Sequence, residues 1–274
     1  YKPFVNRYCS GQREASNLKE LNFNLWQYCM FRREKSLVLT DLPDKIRQVN
    51  TCEITNRKEY MDAERDLIMY LQKYKDADDD KIEKALRGEV MVRINILRQI
   101  SARGKVRDVI EFVKDFRENG KKIILFCSLH EVVDQLKRYF PTAVSVTGRD
   151  SQDEKQRAVD AFQNNPKADI IICSIKAAGV GLTLTASSNV AFVEFPWTYA
   201  DCCQCEDRAH RIGQKDSVTC YYFLGRRTID EKVYRIIQEK KNIANAVTGS
   251  TEDIEENIVD MVARIFDTDY DEED

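Results

Sequence analysis

Residues 122–146 read KIILFCSLHEVVDQLKRYFPTAVSV. A short β-branched run (KIILFC, 122–127) leads into a stretch of helical length (130–140) and then a second short run (AVSV, 143–146). Such brief apolar runs mark strands buried on both faces, the condition of a parallel sheet. The rhythm continues outward. DIIIC (169–173), VAFVEF (190–195) and VTCYYFL (218–224) are further runs. Helix-length stretches lie at 151–164, roughly 175–182, 199–212 and 228–248. Ser151 with Glu154, and Thr228 with Glu231, have capping-box spacing, and Gly249 marks the end of the last helix. Five β-α repeats predict an α/β fold: a doubly wound parallel sheet flanked by helices, with ligands at the carboxyl ends of its strands.

Residues 1–100 are different. They read as helix-rich, with few strand signals. DLPDK (41–45) is a break, and KDADDDK (75–81) a charged loop between helices. An amphipathic helix at 104–118 ends at Asn119-Gly120, just before the first strand. A chain of 274 residues suits about two domains, and a first residue of Tyr1 rather than Met suggests a piece of a longer protein. No apolar run approaches the roughly 18 residues of a membrane span, and no signal-peptide pattern is present. The nine cysteines are scattered, Cys127 and Cys173 inside apolar runs, which is reduced, intracellular usage. The net charge is −3, but residues 251–274 hold eleven acids and one base, a net of −10, which leaves +7 on the other 250 residues. A basic body with an acidic tail points to a polyanion partner, although a solubilising tail on an ordinary domain fits the same numbers.

The stretch DCCQCEDRAHRIGQ (201–214) holds three cysteines and His210 within ten residues. Cys202 and Cys205 form a C-x-x-C pair, yet no second pair completes four zinc ligands, and a redox pair belongs at a helix start after a first strand. On a helix, residues 202, 205, 209 and 212 form an apolar stripe of Cys, Cys, Ala and Ile, while Cys203 points elsewhere. Gln204, Arg208 and Arg211 share another face at i, i+4 and i+7. Two arginines and an amide there suit a polyphosphate, because the guanidinium is planar and permanently charged. The plainer alternative is a solvated face with Glu206 and Asp207 pairing the arginines.

The surroundings carry a resemblance. CSIKAAGVGLTLTAS (173–187) and WTYADCCQCEDRAHRIGQ (197–214) resemble motifs V and VI of the Swi/Snf family, helicase-superfamily-two ATPases that translocate on double-stranded DNA. KKIILFCS resembles motif IV, and VTGRDSQDEKQRAVDAFQ resembles motif IVa with its helix. LRQIS (97–101) and RTIDEKVYRIIQEK (227–240) match in order and spacing. RYCSG, ASNLKELN and MFRREKSLVLTDLPDKIRQ resemble the end of a first motor lobe, in wording nearest the annealing-helicase branch. The resemblance implies a helical tail of the first lobe at 1–50, a helical linker or protrusion at 51–100, a second RecA-like lobe at 101–250 and an acidic tail at 251–274. Tyr199 and Thr183 depart from its usual Pro and Asn.

By that resemblance Arg208 and Arg211 are arginine fingers, and Gln204, Asp207, Gly179 and Gly181 lie at the ATP or interlobe surface. Cys202, Cys203 and Cys205 become packing substitutions for Leu, Leu and Ala, and no metal site is expected. Ser128, Thr147, Gly148, Ser174 and Lys176, at strand ends or helix starts, are candidates for DNA phosphates. Arg157 joins them, or makes a structural salt bridge. Trp197 reads as packing rather than base stacking. Neither Gly-Lys pair (104–105, 120–121) is a P-loop: no Ser or Thr follows, and no D-E-x-H motif occurs. ATP and Mg2+ are therefore expected to be held by a first lobe elsewhere, and this segment alone to be inactive. The expected partners are double-stranded or forked DNA and that first lobe, in an intracellular, DNA-associated setting without a membrane. A non-catalytic helicase-like binding module is the alternative. In the tail, Ile254, Ile258, Met261, Val262 and Ile265 share one helical face, so a helix that docks on the basic body and competes with DNA is expected.

Overall fold

A computed structural model describes residues 2–8, 16–29, 38–75, 80–178 and 181–246. Gly179, Gly249 and the acidic tail lie outside the described residues. The chain divides into two compact units, 1–40 with 235–274, and 41–234. In the first, α1 (Lys2–Tyr8) and α2 (Leu18–Tyr28) are tied by Arg7, whose Nε and Nη2 each donate to the Glu20 carboxylate at 2.7 Å.

The second unit contains the sheet. Its strands are β1 (Lys45–Cys52), β2 (Ile123–Cys127), β3 (Val144–Val146), β4 (Ile170–Ser174), β5 (Asn189–Phe192) and β6 (Val218–Gly225). All neighbours are parallel, in the order β1-β6-β5-β2-β4-β3. Every residue of β2 and β4 is buried, as a run without polar alternation requires. The helices are α3 (Arg57–Lys75), α4 (Asp80–Glu118), α5 (His130–Tyr139), α6 (Gln152–Asn164), the single turn α7 (Ile175–Ala178), α8 (Tyr199–Glu206) and α9 (Ile229–Ala246), the last counted with the other unit from Arg235.

Alternate residues of the strands feed two cores. Ile123, Leu125, Cys127, Ile170, Ile172, Ala191 and Phe223 pack with Val106, Val109 and Val113 of α4 and Val132, Val133 and Leu136 of α5. The intervening Ile124, Phe126, Ile171, Cys173, Val190 and Phe192 are equally buried, with the Phe126 and Phe192 rings stacked at 5.3 Å. α6 contributes buried Val159 and Phe162, and α8 contributes Cys202 and Cys205. The helix expected at 104–118 is the end of the longer α4, whose earlier turns bury Val90, Ile94 and Leu97 alongside Tyr60, Leu67 and Leu71 of α3.

Three expectations are corrected. Residues 1–50 are not wholly helical: β1 adds a sixth strand to the five read from the sequence. It escapes the hydrophobic pattern because its polarity is inverted, with Lys45 and Arg47 turned inward while Ile46 is 53% and Val49 40% exposed. The stretch at 175–182 is helical only at 175–178 among the described residues. The Ser151–Glu154 capping box is present, but the one at Thr228 is not reciprocal. The Glu231 carboxylate takes the Arg227 N–H at 3.1 Å, while the Thr228 hydroxyl donates to Gly225 O at 2.7 Å.

Candidate functional site: an arginine turn

α8 follows β5 and begins at Thr198, whose hydroxyl accepts the Asp201 N–H at 2.9 Å. It ends at Glu206, not at 212. Arg208 and Arg211 therefore lie in an irregular turn and not on a helical face with the exposed Gln204. The predicted stripe survives in part. Cys202, Cys205 and Ala209 are buried, Cys203 is half-buried, and Ile212, the fourth member, is 76% exposed because the helix has already ended.

The turn is built residue by residue. The Glu206 side chain is fully buried, and its carboxylate accepts Arg47 Nε and Nη2, both at 2.7 Å, and the Tyr222 hydroxyl; Lys45 Nζ lies 2.8 Å away. Burial alone would raise the Glu206 pKa, but Arg47 and Lys45 outweigh it and hold the carboxyl below its usual range. Burial likewise works to lower Arg47, and Glu206 overrides it. Asp207 caps the helix and lies 3.4 Å from Lys45 Nζ. His210 Nε2 is 2.8 Å from Pro43 O. Gly213 takes φ 99°, a left-handed conformation that glycine adopts without strain. Gln214 closes the turn, its amide donating to Ser187 O at 3.0 Å and its carbonyl accepting the Lys215 and Asp216 N–H groups.

The two arginines differ from these neighbours. Arg211 Nη1 donates to Leu182 O at 3.2 Å and Thr183 Oγ1 at 3.0 Å, and the backbone joins through Leu184 N–H to Arg208 O at 2.9 Å. Arg208 Nε is buried with no hydrogen-bond partner among the described residues. Glu206 and Asp207 pair with β1, not with the arginines, so the paired, solvated face is not what the structure shows. Gly181 sits in the facing loop at φ 47°.

The strand-end candidates gather elsewhere. Cys127 is in register with Ser174, and Val146 with Cys173, so Ser128, Ser174, Thr147 and Gly148 follow the carboxyl ends of three adjacent strands. The arginine turn is instead fastened beside the starts of β1 and β6. The ATP-facing and DNA-facing candidates thus lie at opposite strand ends, where ligands were expected at the carboxyl ends. Within the first group several donors are already engaged. The Ser128 and Leu129 N–H groups donate to Glu194 Oε1 at 3.0 and 2.8 Å, and burial raises that carboxyl's pKa. Thr147 is buried, and its N–H and hydroxyl both meet Asp150. Ser174 Oγ accepts the Ala177 N–H at 3.1 Å. Gly148 and Lys176 are exposed; so is Arg157, whose Nε donates to Asp153 O at 3.3 Å. The Arg98 guanidinium lies 3.8 Å over the Trp197 ring and donates to Phe195 O, which agrees with packing.

Sequence reasoning missed Lys45, Arg47 and Arg98, whose partners are about 100 to 160 residues away and leave no local signal. Of the two Gly-Lys pairs, Gly104-Lys105 lies inside α4: a Cβ at Gly104 would stand 2.7 Å from Ile54 Cβ, and Lys105 is buried against Asp230. Among the described residues no three His, Cys, Asp or Glu side chains gather as a metal site requires, and no helix is long and apolar enough to cross a membrane.

Residues 104–213 match the helicase conserved C-terminal domain. Over 255 residues the chain is 29% identical to the SWI/SNF-related matrix-associated actin-dependent regulator of chromatin subfamily A-like protein 1 of Xenopus tropicalis, covering 88% of this chain and 26% of that protein. It is 31% identical over 276 residues to the DNA annealing helicase and endonuclease ZRANB3 of Mus musculus, covering 90% and 24%. This chain is a helicase C-terminal lobe of the Swi/Snf family. The lobe spans about a quarter of the length of these curated relatives. Its fold is shared with the C-terminal part of the Fun30 ATPase domain (TM-score 0.66, 16% identity, 84% of this chain and 99% of that one). It is shared also with the Sulfolobus solfataricus SWI2/SNF2 ATPase core in complex with dsDNA (TM-score 0.60, 22% identity, 89% and 55%). The six-stranded parallel sheet with flanking helices is the RecA-like architecture of these ATPase lobes.

Proposed function

We propose that this lobe is the second half of an ATP-driven motor that tracks along double-stranded DNA, with Arg208 and Arg211 as its arginine fingers. The observation that carries the reading is Arg208 Nε, buried and without a hydrogen-bond partner among the described residues, beside acids that pair with Lys45 and Arg47 of β1. A planar, permanently charged cation without a carboxylate partner among the described residues is suited to a phosphate that arrives from outside the lobe. ATP and its Mg2+ would be held mainly by a first lobe, and the chemistry they supply is phosphoryl transfer to water. In this proposal Arg208 and Arg211 meet the transferring phosphoryl group, while Gln204, Asp207, Gly179 and Gly181 border the interlobe surface.

Ser128, Gly148, Ser174, Lys176 and Arg157 are proposed to face a DNA backbone along the other strand ends, with Thr147 holding the Gly148 turn rather than touching DNA. The segment 1–40 is proposed to end the first lobe, 53–100 to form the protrusion between lobes, β1 together with 101–250 to form the motor lobe and 251–274 to form a tail. The relatives' names, a chromatin regulator and a DNA annealing helicase, favour an intracellular role on DNA, and duplex or forked DNA is the proposed partner.

The test is made in the full-length protein. ATP hydrolysis stimulated by duplex DNA is expected, because DNA bridging two lobes closes the cleft and delivers the fingers. Arg211→Ala is expected to lower kcat by roughly 10³-fold or more while ATP and DNA still bind. Turnover near the wild-type rate would remove the arginine-finger assignment.

A further inference from the structure

An irregular turn of seven residues does not hold its own shape, and the one at 207–213 is held by a strand. Three of its fixed points are Glu206, Asp207 and His210, which flank or alternate with Arg208. All three meet residues 43–47. Glu206 receives both Arg47 nitrogens at 2.7 Å and Lys45 Nζ at 2.8 Å, Asp207 lies 3.4 Å from the same Lys45 Nζ, and His210 Nε2 is 2.8 Å from Pro43 O. Arg47 Nη2 also reaches the Tyr199 hydroxyl at 3.3 Å, at the first turn of α8, so one guanidinium spans both ends of that helix. β1 in turn is paired with β6 along its whole length, from Lys45↔Val218 to Cys52↔Gly225. No hydrophobic requirement explains two inward cations on an edge strand. A hydrophobic pair of similar volume would be as stable or more so, whereas four donors on a planar carboxylate, three of them from Arg47 and Lys45, fix direction as well as distance.

We propose that Arg47 and Lys45, acting through Glu206 and Asp207, are positioning residues that aim the arginine turn, so that any shift of the chain entering at Pro43 is transmitted to Arg208 and Arg211. This rests on reading those two arginines as phosphate-facing. A misplacement of about 1 Å in such a group lowers turnover on the order of 10²-fold without changing what binds.

The experiment uses the full-length protein with ATP and duplex DNA. Arg47→Met is expected to lower kcat by about 10- to 100-fold while the KM for ATP and the half-saturating DNA concentration move by less than about three-fold. A purely structural role would appear instead as a lowered melting temperature with kcat per folded molecule unchanged. If Arg47→Met does not fold, Lys45→Met and Tyr222→Phe replace it, with expected kcat losses of about 3- to 10-fold. Folded variants with kcat within about two-fold of wild type, or a loss confined to KM, overturn the positioning role alone. A wild-type protein that hydrolyses no ATP with DNA present overturns the ATPase reading on which it rests.

Discussion

At the scale of single residues, the stretch 201–214 shows how one residue type changes meaning with its neighbours. Cys202 and Cys205 suggest a metal or redox pair by spacing, yet both are buried, and burial raises their thiol pKa values far from the reactive range. Cys29 is exposed. Brief alkylation near pH 8 followed by mass mapping should therefore label Cys29 and leave Cys202 and Cys205 unmodified until denaturant is added. Equal labelling of Cys205 and Cys29 in the native protein would show that α8 does not pack as described. The neighbouring arginines carry the converse lesson. Their identity as a pair is plain in the sequence, but the difference between a tethered Arg211 and an Arg208 whose Nε has no partner among the described residues depends on Leu182 and Thr183, which reach Arg211 only through the fold.

At the scale of elements, the start of α9 is fixed by a buried polar cluster. Asp230 Oδ2 accepts Ser101 Oγ at 2.7 Å, Gly225 N–H at 3.0 Å and the Lys105 ammonium, and Lys105 Nζ also donates to Phe223 O at 2.9 Å. The cluster joins α4, the end of β6 and the first turn of α9. A Cβ at Gly225 would lie 2.5 Å from Ser101 Oγ and 2.9 Å from Thr228 Oγ1, so a larger residue there would force this cluster to shift. Asp230→Ala would leave Lys105, 1% exposed, without its counter-charge. Breaking a buried pair from one side costs roughly 3–5 kcal/mol, so the melting temperature should fall on the order of 10 °C. Calorimetry checks it; a fall of about 1 °C or less would mean that Lys105 reaches water.

At the scale of the whole lobe, acid stability should reflect Glu206. Its folded-state pKa is held below the unfolded value, so the stability it contributes is complete above the unfolded carboxyl pKa, about 4.3, and is lost as pH falls through the folded value. Glu194 works in the opposite sense: its folded pKa is raised, so its contribution weakens as pH rises above the unfolded value. The difference in urea stability between wild type and Glu206→Gln should then be largest near neutral pH and shrink steadily below about pH 4. A constant difference across that range would remove Glu206 as the titrating group.

The sequence by itself determined the class of fold and the family. Buried parallel strands must be written as short continuous apolar runs, and KIILFC and DIIIC are legible because packing on both faces leaves no room for polar alternation. The Ser151 capping box was legible for the same local reason, since both partners lie within one turn of the chain. Tertiary structure alone decided three things. β1 joins the sheet against its own hydrophobic pattern, because the cations it turns inward find their counter-charge at Glu206, 159 residues away. α8 stops at Glu206 rather than continuing through Arg211: beyond it the Arg208 and Ala209 N–H groups bond only three residues back, to Cys205 and Glu206, while the side chains of His210, Arg211 and Gln214 hold the turn to the carbonyls of Pro43, Leu182 and Ser187. The candidate sites fall at opposite strand ends rather than at the carboxyl ends alone, because the turn after α8 is fastened to the start of β1. Local periodicity carries information about partners three or four residues away, and each of these outcomes depends on partners many residues distant.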